Sequence, residues 1–168
     1  MTTKPPINVL VLCTGNSARS ILGEALFNHL GAGRVRAFSA GSKPAGQVNP
    51  VALETLEKHG VLLPEDVRSK SWDEFAAAGA PKIDYIFTVC ASAAGEACPI
   101  WPGHPTTAHW GIDDPAHVEP MAARRAAFET AYLALEKRIK AFLALDLTSM
   151  SSRDVAIAAK LIHEAAGG

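Results

Sequence analysis

An apolar segment that leads into a short cysteine-containing loop is the feature that most constrains the fold of this chain. Residues Ile7 to Leu12 are rich in Val, Ile and Leu, which is typical of a strand buried on both faces of a parallel sheet. After the loop, apolar residues recur at helical spacing from Ile21 to Leu30, and Gly31 ends the pattern. A strand, a loop and a helix in this order predict an α/β fold, in which ligands bind at the carboxyl ends of the strands.

The alternation of strands and helices continues along the chain. The patterns predict strands at Val35–Ala40, Ile83–Val89 and Ala108–Ile112, helices at Pro50–Gly60 and Met121–Phe142, and a short terminal helix at Val155–Ile162. Parallel strands joined by crossover helices indicate an α/β three-layer sandwich with a four-stranded parallel sheet. We expect one domain over residues 1–145, followed by a C-terminal helical extension over residues 146–168.

The charge balance and the cysteine count narrow the classes of function. The 168 residues include 16 Lys and Arg against 17 Asp and Glu, a formal charge of −1, so no general basic field attracts nucleic acid or anionic lipid. No apolar run reaches the ~20 residues of a membrane span, and the first strand is not preceded by a signal-peptide pattern. Three cysteines are too few for a secreted disulfide framework. We therefore expect a cytoplasmic protein without nucleic-acid or membrane partners.

The loop after the first strand has the residue types of a site for a tetrahedral oxyanion. Backbone N–H groups at a helix N-terminus bind such an anion, and Gly15 and Asn16 tolerate the positive φ that this wrapping requires. Arg19 offers a planar fork that matches two oxygens of phosphate or arsenate. Cys13 is predicted to be the nucleophile, with its thiolate favoured by this surrounding and by a hydroxyl donated from Ser20. The predicted binding residues are Thr14, Gly15, Asn16, Ser17, Ala18, Arg19 and Ser20.

Several of the reactive residue types also fit simpler roles. A cysteine such as Cys13 is often just a small buried residue that ends a strand, but the surrounding loop and arginine favour the nucleophile. The segment 113–115, Asp-Asp-Pro, is typical of a turn. Cys98, His104, His109 and His117 lie within twenty residues, but only His104 with His109 comes near the spacing of a structural zinc site. We therefore predict no metal and no cofactor.

The segment VLCTGNSARS resembles the active-site loop of the low-molecular-weight protein tyrosine phosphatase fold, and more closely that of its arsenate reductase branch. The similarity extends from Ile7 to Phe142. It includes four further motifs, which are Ser39-Ala40-Gly41, Asn49-Pro50, Thr88-Val89-Cys90 and the segment from His109 to Ala116.

This resemblance implies an arsenate reductase with a relay of three cysteines. Cys13 attacks arsenic, Cys90 then attacks the sulfur of the adduct and releases arsenite, and Cys98 resolves the resulting disulfide. Asp114 is the implied general acid, with Asp113 as its alternative. The implied electron donor is thioredoxin, or glutathione with glutaredoxin. The seven residues between Cys90 and Cys98 leave that choice open.

Two other functions remain open from the sequence. A low-molecular-weight phosphatase acting on phosphotyrosine or a small phosphoester uses the same loop, for which phosphate and sulfate are mimics of arsenate. Ala116 and His117 stand where such a phosphatase usually has aromatic residues. A redox-linked oxyanion sensor binds the anion without turnover. The resemblance also leaves open whether Asn16, Glu24 and Ser39 hold a structural monovalent cation, as they do in some family members.

Overall fold

A parallel sheet forms the centre of the protein. The structure is a computed structural model, and it describes residues 6–63, 67–89 and 105–167. The strands in these ranges are Ile7–Cys13 (β1), Val35–Gly41 (β2), Tyr85–Thr88 (β3) and Thr106–His109 (β4). They are parallel to one another and lie in the order β2-β1-β3-β4. The predicted four-stranded parallel sheet is confirmed.

The boundaries of the last two strands differ from the prediction. The third strand is shorter at both ends than the predicted segment from Ile83 to Val89. The fourth begins at Thr106 rather than Ala108, because the Thr106 N–H donates to the Asp84 carbonyl at 3.1 Å and so joins the ladder. This strand lies at the edge of the sheet and is only partly buried, so its first two residues are threonines and do not belong to an apolar pattern.

Helices cover one face of the sheet, and a smaller cluster covers the other. The α-helices of the described ranges are Arg19–Gly31 (α1), Pro50–Lys58 (α2), Met121–Leu143 (α3) and Ser152–Ala165 (α4). Val9 and Val11 of β1 belong to the large core that these helices share, whereas Leu10 and Leu12 pack in a second cluster. That second cluster includes a short 3₁₀ helix, Trp72–Phe75, which the sequence patterns do not predict. Both faces of β1 are therefore buried, as its Val, Ile and Leu content predicts.

The terminal helix α4 packs on the edge of the sheet at β4. Val155 and Ala159 of this helix are buried in the large core. The indole Nε1 of Trp110 donates to the Ala159 carbonyl at 2.9 Å, and Trp110 itself is fully buried. The division into a domain over residues 1–145 and an extension over residues 146–168 stays a prediction. In the structure, α4 shares the core of the other helices. Within the described ranges, no helix is long and apolar enough to cross a membrane.

Candidate active site

The loop between β1 and α1 borders a cavity at the carboxyl end of the sheet. Cys13, the last residue of β1, is 5% exposed and lies in the wall of this cavity, which has a volume of about 420 Å³. Its lining residues come from three parts of the chain: Cys13, Thr14, Gly15, Ser17, Ala18 and Arg19, then Ala45 and Asn49, and finally Asp114, Ala116 and His117. The structure thus brings the predicted nucleophile, arginine and general acid to one site.

The segment 43–49 holds the loop in shape. Three of its backbone N–H groups donate to loop carbonyls, Lys43 to Thr14 at 2.9 Å, Ala45 to Gly15 at 2.9 Å and Asn49 to Ser17 at 2.8 Å. In contrast, the backbone N–H groups of residues 15–18 donate to no acceptor in the described part of the chain. A loop can surround an anion when its carbonyls are hydrogen-bonded to another segment and its N–H groups are still available as donors. This loop has both properties.

The backbone of the loop contains one residue in the left-handed conformation and lies very close to the end of β2. Asn16 has φ of 45°, as predicted, but Gly15 does not have a positive φ. The glycine that the packing requires is Gly41 at the end of β2. A Cβ there would lie 2.4 Å from the Thr14 carbonyl oxygen and 2.8 Å from that of Cys13. Gly41 therefore lets β2 end directly against the loop.

Arg19 is held at the edge of the cavity by two contacts of its guanidinium group. Its Nη1 donates to the Ile112 carbonyl at 2.9 Å, and its Nη2 lies 3.5 Å from Oδ2 of Asp114. Its Nε is buried and has no hydrogen-bond partner in residues 6–63, 67–89 and 105–167. A buried guanidinium N–H without an acceptor is costly, so this group points to an anionic ligand.

Asp114, rather than Asp113, lines the cavity that contains Cys13. The Asp114 Oδ1 accepts from the Ala116 N–H at 2.9 Å, which is the turn that the sequence predicts. Its Oδ2 faces Arg19, and it also lies 3.9 Å from Nε2 of the exposed His117. The turn therefore presents a half-exposed carboxyl group to the cavity.

Two predicted binding residues lie behind the loop instead of lining the cavity. Asn16 and Ser20 are fully buried, and the Asn16 Nδ2 donates to the Ser20 Oγ at 2.9 Å. The described contacts of Ser20 do not include a bond to the sulfur of Cys13. The bond between these two side chains stabilises the loop from the side opposite the cavity. Asn16 reaches this side with its φ of 45°.

Asn49 and His117 line the cavity, although neither is among the predicted catalytic or binding residues. Asn49 caps α2, where its Oδ1 accepts from the Val51 N–H at 2.9 Å. The Asn-Pro pair before a helix is the sequence signal for this cap. The signal for His117 is its place after the Asp-Pro turn, where phosphatases of the similar family usually have aromatic residues.

Cys90 and Cys98 lie outside the described residues, as does His104. The chain leaves the described part at Val89, whose N–H donates to the carbonyl of Leu12 at 2.9 Å, directly before Cys13. In the ranges that are described, no cluster of three or more His, Cys, Asp or Glu side chains has the arrangement of a metal site.

The profile of the low molecular weight phosphotyrosine protein phosphatase family matches residues 8–153. The chain belongs to this family. An arsenate reductase of Shouchella clausii is 32% identical over 135 residues, which are 80% of this chain and 93% of that protein. The arsenate reductase structure from Archaeoglobus fulgidus has 28% identity and a TM-score of 0.61 and covers 82% of this chain and 99% of its own.

A further similar structure of the phosphatase fold is a thioredoxin-dependent arsenate reductase of Corynebacterium glutamicum. It has 26% identity and a TM-score of 0.55, and the match covers 83% of this chain but only 64% of that one. The family match ends at residue 153, so nearly all of α4 lies beyond it.

Proposed function

We propose that this protein reduces arsenate to arsenite with Cys13 as the nucleophile. The observation that carries the proposal is the buried Nε of Arg19, which has no acceptor in the described residues, in a side chain that lines the same cavity as Cys13. The amides of residues 15–18 add further donors at this cavity. Such a set of donors binds a tetrahedral oxyanion, and the curated arsenate reductase relative supports arsenate as that anion.

In the first step, the thiolate of Cys13 attacks the arsenic atom. A sulfur–arsenic bond forms, and one hydroxyl group of arsenate leaves as water after Asp114 donates a proton to it. Arg19 and the loop amides hold the remaining oxygens and stabilise their negative charge. Arsenic is still As(V) at this stage, so two electrons have yet to be supplied.

In the second step, the thiolate of Cys90 attacks the sulfur of Cys13. The sulfur–arsenic bond breaks, its electron pair stays on arsenic as arsenite is released, and a Cys13–Cys90 disulfide forms. Cys98 then attacks Cys90 and restores the Cys13 thiolate, which leaves a Cys90–Cys98 disulfide for an external thiol donor. Val89 directly precedes Cys90 in the sequence, and its N–H donates to the carbonyl of Leu12, directly before Cys13, which supports Cys90 as the attacking thiol of this step.

The composition of the cavity favours a small inorganic substrate over an aryl phosphate. No Phe, Tyr or Trp from the described residues lines it, and Ala116 and His117 are the residues that follow the Asp-Pro turn there. The described residues therefore offer no aromatic wall to the ring of an aryl phosphate.

The direct test is arsenite release with two donor systems, thioredoxin and glutathione with glutaredoxin. We expect release by the parent protein with one of them, none by Cys13→Ser, and no multiple turnover by Cys90→Ala, which should still bind phosphate. Hydrolysis of p-nitrophenyl phosphate without arsenite release would assign the protein as a phosphatase. Phosphate binding without either activity would assign it as a sensor. Arsenite release by Cys90→Ala at the parent rate would remove Cys90 from the relay.

The role of Arg19 is tested by phosphate titration of Arg19→Lys. This change keeps the charge but removes the Nε donor, and a hydrogen bond to a charged group contributes about 1.5–3 kcal/mol. We therefore expect a phosphate affinity about 10- to 150-fold weaker. The control is Arg125→Lys, since Arg125 is exposed and pairs with Glu54 outside the cavity. Equal affinities of the two variants would contradict the assigned role of Arg19.

A further inference from the structure

A buried pair of opposite charges lies directly behind the oxyanion loop. Glu24 on α1 is 3% exposed and Lys70 is 5% exposed, and the Lys70 Nζ is 4.0 Å from the Glu24 Oε1. Isolated charges are very unfavourable in a protein interior, so each of these groups depends on opposite charge nearby. The pair is therefore a built feature of this region, unlike the exposed ion pairs elsewhere on the surface.

Hydrogen bonds connect this charge pair to the loop through Asn16. The Asn16 Oδ1 accepts from the backbone N–H of Lys70 at 2.8 Å, and its Nδ2 donates to the Ser39 Oγ at 2.9 Å. Ser39 in turn donates its hydroxyl to the Glu24 carboxylate. Asn16 is also the loop residue with φ of 45°. The Asn16 side chain is thus held by Lys70 directly and by Glu24 through Ser39, and it fixes this backbone conformation.

The residues at this place do not fit a bound monovalent cation. Asn16, Glu24 and Ser39 supply oxygen atoms, but the Lys70 ammonium group already lies against the carboxylate and donates to the Arg68 carbonyl at 3.0 Å. The amide oxygen of Asn16 is engaged by the Lys70 N–H. A second positive ion beside that ammonium group would be repelled at short range.

We infer that Lys70 is a built-in cation that positions the oxyanion loop, so that this protein binds oxyanions without need of K⁺ or Na⁺. The ammonium group neutralises Glu24, and Glu24 and Ser39 then hold Asn16 in its left-handed conformation. Lys70 is a positioning residue, because it acts on the anion through Asn16 and the loop backbone. The inference rests on the proposed role of the loop as an oxyanion site.

The test is phosphate titration of the parent protein and of Lys70→Ala in K⁺, Na⁺ or a bulky organic cation at matched ionic strength. The parent affinity should be the same in all three. Lys70→Ala should bind about tenfold more weakly in the organic cation and recover most of that loss in K⁺ or methylammonium. The matched control is Lys58→Ala, since Lys58 is an exposed lysine paired with Glu129 at 3.6 Å. The phosphate affinity of Lys58→Ala should equal that of the parent and should be the same with each cation.

A double variant covers the case in which Lys70→Ala fails to fold. Glu24→Gln with Lys70→Met removes both charges at similar volume, so it should fold, bind phosphate better than the single variant and ignore K⁺. The inference is overturned if the parent affinity depends on K⁺ or if Lys70→Ala binds like the parent without added cation. It is also overturned if neither cations nor the double change restore the loss.

Thermal unfolding separates this inference from the proposed function. K⁺ should raise the unfolding temperature of Lys70→Ala more than that of the parent or of Lys58→Ala. A parent protein that binds no phosphate would contradict the oxyanion function, while the unfolding experiment would still decide whether Lys70 replaces a cation. Equal responses of the three proteins to K⁺ would overturn the inference.

Discussion

Replacing Gly41 with alanine should disturb the loop that holds Cys13. The new Cβ would lie 2.4 Å from the Thr14 oxygen, 2.8 Å from the Cys13 oxygen and 3.0 Å from the Asn16 nitrogen. All three are backbone atoms, so the loop or the end of β2 has to move. Such overpacking costs about 1–3 kcal/mol. The entropy that alanine removes from the unfolded chain offsets only about 0.4–1 kcal/mol of this.

Calorimetric unfolding and phosphate titration measure the two consequences of Gly41→Ala. The net loss after this offset is up to about 2.6 kcal/mol, which lowers the unfolding temperature of a chain of this size by up to about 10 °C. The displaced loop should also bind phosphate at least about tenfold more weakly. Gly15→Ala is the control for stability, because its Cβ meets only the Ser17 Oγ at 3.8 Å. Gly41→Ala with the stability and phosphate affinity of the parent would refute the proposed close approach.

Three further changes test the acid, the terminal helix and a surface pair. Asp114→Asn should slow arsenate reduction by about 10²–10⁴ while phosphate still binds, and a parent-like rate in a steady-state assay would contradict the acid role. Trp110→Phe loses the bond to the Ala159 carbonyl, so denaturant unfolding should show a loss of about 1 kcal/mol or more; an unchanged midpoint would show that this bond does not stabilise α4. The hydrogen bond from His59 lowers the pKa of Glu129 below 4.5. The parent should therefore have a higher free energy of unfolding than Glu129→Gln above pH 4.5, and this difference should decline as the pH falls through the lowered pKa. A difference that does not change with pH would contradict this pairing.

Much of the site could be predicted because its chemistry is local in the sequence. The strand, the loop and the helix are continuous, so Cys13 and Arg19 are placed by short-range patterns alone. The contact of Arg19 with Asp114 joins residues far apart in the chain. Periodicity does not predict such a contact, and only the resemblance to a known family indicated it.

The features that the sequence did not predict are those that oppose its usual rules. Lysines are almost never fully buried, so nothing in the pattern around Lys70 predicts an interior partner for Glu24. The 3₁₀ helix Trp72–Phe75 is too short to show a periodic pattern, although its two aromatic residues complete the second core cluster. Gly15 and Asn16 both tolerate a positive φ, but of the two only Asn16 adopts one. The close approach that excludes a side chain falls at Gly41, which no sequence pattern indicated.

The rate of Cys13 alkylation tests the central claim most directly. In a Cys90→Ser and Cys98→Ser background, iodoacetamide reports on Cys13 alone. We predict rapid alkylation at neutral pH, protection by phosphate or arsenate, and loss of that protection in Arg19→Lys. Alkylation as slow as that of an ordinary cysteine, or a rate that phosphate leaves unchanged, would contradict a thiolate held in an oxyanion site.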